Sequence, residues 1–421
     1  MERQNKDSGV YWIGKIPNDW TTSKFKHLFR IKKILAGKLG YDVLSVTQQG
    51  LKVKNITSNE GQVANDYTNY QLVYPNDFVM NHMDLLTGYV DVSKQEGVTS
   101  PDYRSFYAIN AKDIVNQYYL YIFQLCYKTR LFYNLGQGVS NLGRWRLPAE
   151  QQKEFILPYP PLEDQQRIAK YLDKKCGDID RLIDLQEQIV EKLKVYKKSV
   201  ITETVTKGID PKAKLIPSGI DWIGDIPDSW EICKLNYIYR FQTGATPPSK
   251  VEQYFDGDIK WANIADLKSQ YVYDTNKHLS ETGVAKCNMN ISPKGSLMYS
   301  FKLSVGAVAF CGCDMYTNEA IATFLQGYGN LHYLYYMAQV AIINNANYNI
   351  YGAPILNQDL IQNALIINPP LSEQQKIASY LDEKCSEIDN LIAVKQQKIE
   401  KLKDYKKSVI YEAVTGKTII E

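Results

Sequence analysis

The sequence predicts an α+β protein in which two globular α+β modules are separated by two long antiparallel helices, in a pseudo-twofold cyclic repeat. A charged stretch with helical periodicity at 160–206 returns at 369–415, an offset of 209 (371 minus 162), and about 30 of roughly 47 aligned residues are identical. A block at 8–17 returns at 218–227. The stretches between these blocks are nearly equal in length but share no visible sequence. A duplicated frame therefore encloses two different modules.

The order of the repeated blocks predicts that the two chain ends meet. In the middle of the chain a helical stretch precedes the block at 218–227, whereas the first block lies near the N-terminus and the last helical stretch near the C-terminus. The first block and the last helical stretch form a unit like the one in the middle of the chain only if the two chain ends lie together. We therefore expect pseudo-twofold symmetry with inverted modules and four segments. These segments are 1–159, 160–208, 209–368 and 369–421.

Apolar periodicity from residue 163 to about 205 predicts the first long helix, and its copy predicts the second. With Leu172 at heptad position a, about three residues in seven are apolar, which suits a helix with more than one neighbour. Ser372 with Gln375 three residues later fits a capping box at the start of the second helix. Gly177 predicts a kink or a break in the first helix.

Each module is predicted to mix short strands with one tyrosine-rich helix. Module one, about 21–159, has a strand-like run at 41–47 and a helix at 117–129. Module two, about 231–368, has a strand-like run at 259–264 and a helix near 331–340. A polar segment follows the helix in both. This shared layout predicts two α+β globules on a common plan.

Polar loops punctuated by glycine supply candidate DNA-contacting residues. Their side chains can pair with base edges and phosphates, although the loops of soluble proteins are polar in any case. The candidates are Thr47, Gln48, Lys52, Ser140, Asn141, Arg144, Arg146, Thr246, Ser249, Lys250, Lys260, Asn263 and Asn347.

Composition indicates a soluble globular protein of two or three domains. Hydrophobic residues make up 44% and charged residues 23%, and the net charge is +3. That small charge decides nothing alone, because DNA-binding proteins concentrate charge locally. The N-terminus lacks the apolar run of a signal peptide, and no stretch reaches the roughly 18 apolar residues of a membrane span. We therefore expect a cytoplasmic protein with no membrane partner.

The sequence offers no catalytic or metal site. The seven cysteines are scattered, and the pair Cys311 and Cys313 is a weak metal signal on its own. Cys176 and Cys385 occupy equivalent positions on the apolar helical seam, where a cysteine packs as a small hydrophobe. Asn368 before two prolines imitates an adenine-methyltransferase motif, but the first repeat has Tyr159 there, and Leu371 replaces the aromatic residue. We expect a helix start instead.

The repeated motifs resemble the DNA-specificity (S) subunits of type I restriction-modification systems. The resemblance covers essentially the whole chain and rests on the Trp-Ile-Gly at 12–14, the Ile-Pro at 16–17, Trp20, the Pro-Pro-Leu at 160–162 and their second copies. The segment 246–266 also matches the family's common module opening, whereas module one carries Leu-Ser-Val-Thr-Gln at 44–48 instead. The resemblance implies that each module is a target recognition domain for one half of a split DNA site.

The resemblance further implies a non-catalytic subunit that docks enzymes through its helices. Methyltransferase (M) subunits would supply S-adenosylmethionine and the adenine-methylating site, and translocase-nuclease restriction (R) subunits would join the same complex. This chain itself would need no cofactor. The expected docking residues are Leu172, Ile179, Leu182, Ile183, Leu193, Leu381, Ile388, Leu391, Ile392 and Leu402.

Two alternatives remain at the level of sequence. One is that the chain is itself a nuclease or methyltransferase, which the missing catalytic motifs disfavour. The other is a helical scaffold that links two protein-binding modules, which selective DNA binding would exclude. A helix of roughly 30 residues spans about 45 Å, somewhat more than one turn of B-DNA, so the helices could set the gap between two half-sites.

Overall fold

Module one consists of short strands and helices that lead into a long helix. The computed structural model describes residues 4–55, 66–138 and 145–420. Its first part contains β1 (Asn5–Asp7), β2 (Lys15–Pro17), β3 (Thr21–Lys24), α1 (Phe25–Leu28), β4 (Phe29–Lys32), β5 (Val43–Thr47), β6 (Gly50–Val53), β7 (Gln71–Val73), β8 (Phe78–Met80), β9 (Val90–Val92), β10 (Gly97–Thr99), β11 (Arg104–Ala108), α2 (Asn116–Lys128), α3 (Leu131–Asn134), α4 (Ala149–Glu154), β12 (Ile156–Tyr159) and α5 (Leu162–Lys207).

An antiparallel sheet with the order β4-β11-β8-β9 carries the core of module one. Phe29, Phe78 and Phe106 from this sheet meet Phe123 of α2, and all four rings are buried. Edge-to-face ring pairs of this kind add to the free energy gained from burial. A second sheet, β6-β5-β10-β7, lies beside it, with β5 and β10 parallel.

Module two follows the same succession of elements. It contains β13 (Leu215–Pro217), β14 (Asp225–Pro227), β15 (Glu231–Lys234), α6 (Leu235–Ile238), β16 (Phe241–Thr243), β17 (Ile259–Ala262), β18 (Tyr271–Val272), β19 (His278–Leu279), α7 (Glu281–Cys287), β20 (Leu297–Ser300), β21 (Val308–Cys311), β22 (Tyr316–Thr317), β23 (Ile321–Phe324), α8 (Leu331–Ala341), β24 (Asn347–Tyr348), β25 (Pro354–Ile355), α9 (Gln358–Gln362), β26 (Leu365–Asn368) and then α10 (Leu371–Val414), with 3-10 turns at Glu252–Tyr254, Ile264–Asp266 and Ile343–Asn345.

The two modules share one sheet order despite their unlike sequences. The main sheet of module two runs β16-β23-β20-β21-β18, and its first four strands repeat β4-β11-β8-β9. Helix α8 follows β23 just as α2 follows β11. The predicted common α+β plan is therefore confirmed. The smaller sheet β19-β17-β22 belongs to module two and differs from the second sheet of module one.

The chain divides into two compact units that cut across the long helices. One unit is Met1–Gln188 with Lys395–Glu421, and the other is Ile189–Val394. Each unit therefore combines one module with half of α5 and half of α10. The four segments predicted from the sequence set each long helix apart from the modules. In the structure, each half of a long helix belongs to the same compact unit as one module.

The chain ends meet in the first unit, as the order of the repeat predicts. Trp20 Nε1 donates to Asp164 Oδ2 at 2.6 Å, near the start of α5. Gly416, just past the end of α10, lies against the same indole ring and against Pro17. Tyr118 adds a hydrogen bond from its hydroxyl to the carbonyl of Val414 at 2.8 Å. These contacts place the start of α5 beside the end of α10.

The second unit repeats these contacts with the partners exchanged. Trp230 Nε1 donates to Glu373 Oε2 at 2.7 Å, near the start of α10, and Gly208, past the end of α5, lies against the Trp230 ring. The helical halves therefore run antiparallel in each unit.

One ion pair links the helices in each unit and occupies repeat-equivalent positions. In the first unit Lys406 Nζ lies 2.6 Å from Asp180, and in the second Lys197 Nζ lies 2.7 Å from Asp389. Both the aspartates (389 minus 180) and the lysines (406 minus 197) are 209 residues apart.

Two predictions about the helices are wrong. Helix α5 is continuous from Leu162 to Lys207, so Gly177 does not break it, and beyond the helix's own backbone no atom would lie within 4 Å of an added Cβ there. Helix α10 begins at Leu371, which places Ser372 inside the helix and not at its N-cap. The prolines before both helices start them, because a proline cannot continue a helix backwards.

Candidate nucleic-acid interface

The candidate loops of module one lie at one end of its main sheet. The register pairs Arg104 with Met80 and Ser105 with Lys32, so the β8–β9 turn lies at the end where β4 stops and β11 starts. Gln48, in the turn between β5 and β6, donates from its side chain to the carbonyl of Thr87 in that β8–β9 turn. The predicted residues Thr47, Gln48 and Lys52 therefore share this end of the sheet.

The segment that carries Arg146 joins the same end of module one. The backbone of Trp145 accepts from Leu85 N at 3.1 Å, and Leu147 N donates to His82 O at 2.9 Å. Arg146 itself pairs with Gln137 in an antiparallel bridge and leaves its side chain exposed. The predicted contacts Ser140, Asn141 and Arg144 lie outside the described residues.

Buried positive charge supports this loop cluster. Arg104 is buried and donates to Gln152 Oε1 at 2.5 Å and to the carbonyl of Leu147 at 3.1 Å. Burial, followed by the charges of Arg104 and Arg146, lowers the pKa of His82 to about 4. His82 is therefore neutral near pH 7, and the positive charge at this end comes from the arginines and Lys52. Such a region attracts phosphates.

Module two presents an equivalent loop cluster. The register pairs Thr243 with Ala322 and Ser300 with Ile321, so the segment after β16 and the β20–β21 turn lie at one end of the sheet. Ala245 anchors the first of these loops, because its N–H donates to Thr317 O and its carbonyl accepts from Trp261 Nε1, both at 3.0 Å. Beyond this anchor Thr246, Ser249 and Lys250 are exposed.

A two-stranded hairpin, β24–β25, lies at the same end of module two. Gln358 Nε2, just after the hairpin, donates to Thr243 Oγ1 at 3.1 Å. Asn347, a predicted contact, is exposed on β24. This hydrogen bond links the hairpin that carries Asn347 to the loop that carries Thr246, Ser249 and Lys250, about 100 residues earlier in the sequence.

Several predicted contacts already use their polar atoms within the chain. Lys260 Nζ donates to the carbonyl of Tyr273 at 2.7 Å, and Asn263 caps the 3-10 turn at Ile264–Asp266 by accepting from Ala265 N. Thr47 donates to Gly50 O at 2.8 Å and so stabilises the β5–β6 turn. The hydroxyl of Thr246 bonds Glu319. These groups shape the loops, and Ser249, Lys250 and Arg146 are better placed to meet a ligand.

The exposed apolar residues at the tip of the β24–β25 hairpin were not predicted from the sequence. Ile350 and Tyr351 are almost fully exposed there. The only sequence signal was a polar Asn-rich segment around 345–349 that interrupts an apolar region. A search restricted to polar side chains cannot find such residues.

The structure separates the predicted docking residues into buried and accessible ones. Leu172, Ile179, Ile183, Leu381 and Ile388 are buried within the chain itself. Leu193, Ile392 and Leu402 are partly exposed. Leu182 and Leu391, which are equivalent by the offset of 209, are 45% and 50% exposed. Only the accessible residues can contact another protein.

The described residues contain no cluster of metal-binding side chains and no membrane-spanning helix. Across 4–55, 66–138 and 145–420, no group of three or more His, Cys, Asp or Glu side chains is arranged to hold an ion. None of the helices described is long and apolar enough to cross a bilayer. Burial raises the pKa of Cys176 and of Cys385 to about 11, so these equivalent thiols stay protonated at neutral pH.

Comparison with protein families matches most of the chain. The model described as "Type I restriction modification DNA specificity domain" matches residues 17–198 and 227–404. Two curated relatives come from Methanocaldococcus jannaschii. The type I restriction enzyme MjaIX specificity subunit is 30% identical over 185 residues, 42% of this chain and 42% of that protein. The putative MjaX specificity subunit is 25% identical over 435 aligned residues, 96% of this chain and 95% of that protein.

Solved structures share the fold. A chain from the work "Structural basis underlying complex assembly and conformational transition of the type I R-M system" aligns with a TM-score of 0.72 at 14% identity, over 96% of this chain and 99% of that one. The HsdS subunit from Thermoanaerobacter tengcongensis aligns with a TM-score of 0.50 at 14% identity, over 96% and 98%. Both likenesses concern the architecture.

Proposed function

This chain belongs to the family of type I restriction-modification DNA specificity subunits, and we propose that it reads a bipartite DNA site, one half-site per module. Each module would present its loop cluster to one short stretch of duplex. The two half-sites would flank a gap that the protein does not read. Sequence would be read by side chains at base edges, while lysines and arginines bind phosphates.

The pairing of equal frames with unequal loops is the observation that carries this proposal. Both modules use one sheet order, and each is held by a tryptophan that donates to a carboxylate at the start of a long helix. The loops at the end of the sheet differ in length and residues. A constant frame with variable loops suits recognition of two different sequences in one geometry.

The chemistry would reside in partner subunits. An M subunit would bind S-adenosylmethionine and methylate an adenine in each half-site, after that base leaves the stack. R subunits would join the complex for translocation and cleavage. This chain would contribute binding energy and position the duplex, so its own residues need no nucleophile or metal.

The accessible apolar residues of the helices form a repeated surface for the M subunits. Leu182 and Leu185 are exposed on α5, and their equivalents at the offset of 209, Leu391 and Val394, are exposed on α10. Apolar residues exposed three positions apart share one helix face. Two copies of one surface on one chain would bind two copies of one partner.

Serine substitutions test this docking surface. Leu182→Ser combined with Leu391→Ser should abolish stable association with the M subunit in size-exclusion chromatography. Val195 offers a matched control, because it is an exposed apolar residue of α5 whose equivalent is Asp404 and so lies outside the repeated surface. Normal association of the double variant would refute the assignment, as would loss of association in Val195→Ser.

DNA binding by the complex of this chain with its M subunit tests recognition. We expect selective binding with a strong dependence on salt, because phosphate contacts release counterions. Lys250→Ala should weaken binding to every sequence and reduce the slope of log affinity against log salt concentration by about 1. Binding without sequence preference would favour the scaffold alternative.

Matched deletions test whether the helices set the gap. Residues 186–189 and their equivalents 395–398 lie between the two ion-pair positions on each helix, so removing both sets keeps Asp180 opposite Lys406 and Lys197 opposite Asp389. Four residues shorten a helix by about 6 Å, or roughly two base pairs. The half-sites should stay the same while the gap shrinks. An unchanged gap would contradict the ruler model.

A further inference from the structure

The β24–β25 hairpin of module two exposes apolar side chains to an unusual extent. Ile350 is 91% exposed and Tyr351 is 89% exposed, and Tyr348 beside them is also exposed. Single exposed apolar residues are ordinary, but a group of large apolar residues at one tip marks an interaction surface.

The tip is held in one conformation by its own hydrogen bonds. Asn349 N donates to Ala353 O at 3.0 Å, and Gly352 N donates to Asn349 O at 2.9 Å. The side-chain oxygen of Asn349 also accepts from Tyr351 N and Ala353 N, both at 2.9 Å. Gly352 has φ of +76°, which a residue with a Cβ rarely adopts. The tip is therefore preorganised, and little entropy is lost when its side chains bind.

The hairpin lies among the loops that meet DNA in the proposed function. Gln358 ties its base to Thr243, where the loop with Ser249 and Lys250 begins. The β20–β21 turn, at the same end of the sheet, exposes a further apolar residue outside the hairpin. Leu303 is 94% exposed and has φ of +59°, a conformation that strains a leucine. Strained residues of this kind collect at binding sites.

The chemistry of the tip points to base planes and not to phosphates. Between Asn349 and Gly352 the tip carries a branched aliphatic side chain and an aromatic ring, with no charge. Proteins that insert apolar wedges between base steps use such residues, and aromatic rings stack on bases without sequence preference. A hairpin is narrow enough to enter a groove of duplex DNA.

We propose that the tip of the β24–β25 hairpin enters a groove of the half-site read by module two, where Ile350 and Tyr351 pack against base planes and unstack a base step. This inference rests on the proposed function. The ligand is duplex DNA, and the wedge acts on one half-site. The bound DNA is distorted locally, which makes that half-site sensitive to how easily its sequence unstacks.

Substitution of the tip tests the wedge in the complex with the M subunit, on DNA that carries the mapped site. Ile350→Ser combined with Tyr351→Ser should weaken binding roughly tenfold to a hundredfold, because contacts to base planes are lost. The salt slope should stay at the wild-type value, since no charge is removed, whereas Lys250→Ala changes it. Permanganate oxidation of thymines at that half-site, other than the thymine that pairs with the methylated adenine, should be enhanced by the wild-type complex and not by the variant.

Two control variants and one additional test variant distinguish the wedge from a general effect. Tyr237 is 70% exposed and precedes β16, at the opposite end of the sheet from Thr243, so Tyr237→Ser should bind as the wild type does. Tyr351→Phe keeps the ring and should keep the permanganate signal. Leu303→Gly relieves the positive φ and removes the apolar residue outside the hairpin, and it should weaken binding with an unchanged salt slope. Thermal unfolding shows whether each variant is folded.

The outcomes separate this inference from the proposed function. A mapped bipartite site where the wild-type complex enhances no thymine other than the partner of the methylated adenine, or where the tip variant enhances those thymines equally, overturns the wedge alone. Normal DNA affinity of the folded tip variant also overturns it and leaves a protein partner as the occupant of the tip. The absence of any bipartite methylated site overturns the proposed function instead.

Discussion

Asp382 on α10 accepts hydrogen bonds from module two, and its substitution by alanine should lower the local stability of the tyrosine-rich helix α8. Tyr336 donates from its hydroxyl to Asp382 Oδ1 at 2.6 Å, and Gln270 Nε2 donates to the same oxygen at 3.2 Å. Tyr336 is buried, and burial together with this hydrogen bond raises the pKa of its hydroxyl. Asp382→Ala leaves that hydroxyl buried without an acceptor. A lost hydrogen bond to a charged group costs about 1.5–3 kcal/mol.

Hydrogen exchange of the α8 amides measures this loss directly. A change of about 1.5–3 kcal/mol corresponds to roughly tenfold to 150-fold faster exchange of amides that open with α8. Asp382→Asn keeps an acceptor and should lose less. The equivalent Asp173 accepts from Tyr121 at 2.8 Å. Because Tyr121 is only half-buried, Asp173→Ala should affect α2 less than Asp382→Ala affects α8.

A double-mutant cycle between Asp382→Ala and Tyr336→Phe provides the decisive comparison. If the pair acts as described, the two substitutions together should cost clearly less than the sum of the single effects. Additive effects, or wild-type exchange of α8 in Asp382→Ala, would refute the reasoning.

Three further predictions concern stability. Gly177→Ala should raise the free energy of unfolding by about 0.5–1 kcal/mol, because the site is open and helical, and urea unfolding would measure it. Gly416→Ala should lower the free energy of unfolding by about 1–3 kcal/mol, because φ is +72° and the added Cβ would lie 2.4 Å from Pro17. An unchanged free energy of unfolding would contradict this contact. The pKa of His82 is lowered to about 4, so an unfolded histidine takes up its proton first as pH falls. Stability should drop by about 1–3 kcal/mol between pH 6.5 and 4, and His82→Asn should flatten this dependence.

The helices and their duplication could be predicted because their signals are local. Apolar periodicity and the prolines before each copy predicted both long helices, and the tyrosine-rich helices lie within one residue of 117–129 and 331–340. The predicted break at Gly177 was wrong because one glycine costs a long helix little when its neighbours hold it in place. The prediction at Ser372 was wrong because the preceding prolines already start the helix.

The shared sheet order and the loop clusters could not be predicted because they depend on contacts distant in sequence. Nothing local in β4 or β16 indicates that each pairs with the strand before the tyrosine-rich helix. The docking prediction was incomplete for a related reason. Periodicity shows which residues are apolar, but not whether the same chain covers them, as it covers Leu172 and leaves Leu182 exposed.

Mapping of methylated adenines tests the central claim most directly. Genomic DNA would be sequenced from cells that contain the M subunit, with and without this chain. The account predicts methylation only when the chain is present, at sites with two specified half-sites, a fixed unspecified gap between them and one modified adenine in each half. An undivided site, identical methylation without the chain, or methylation by the chain without the M subunit would contradict it.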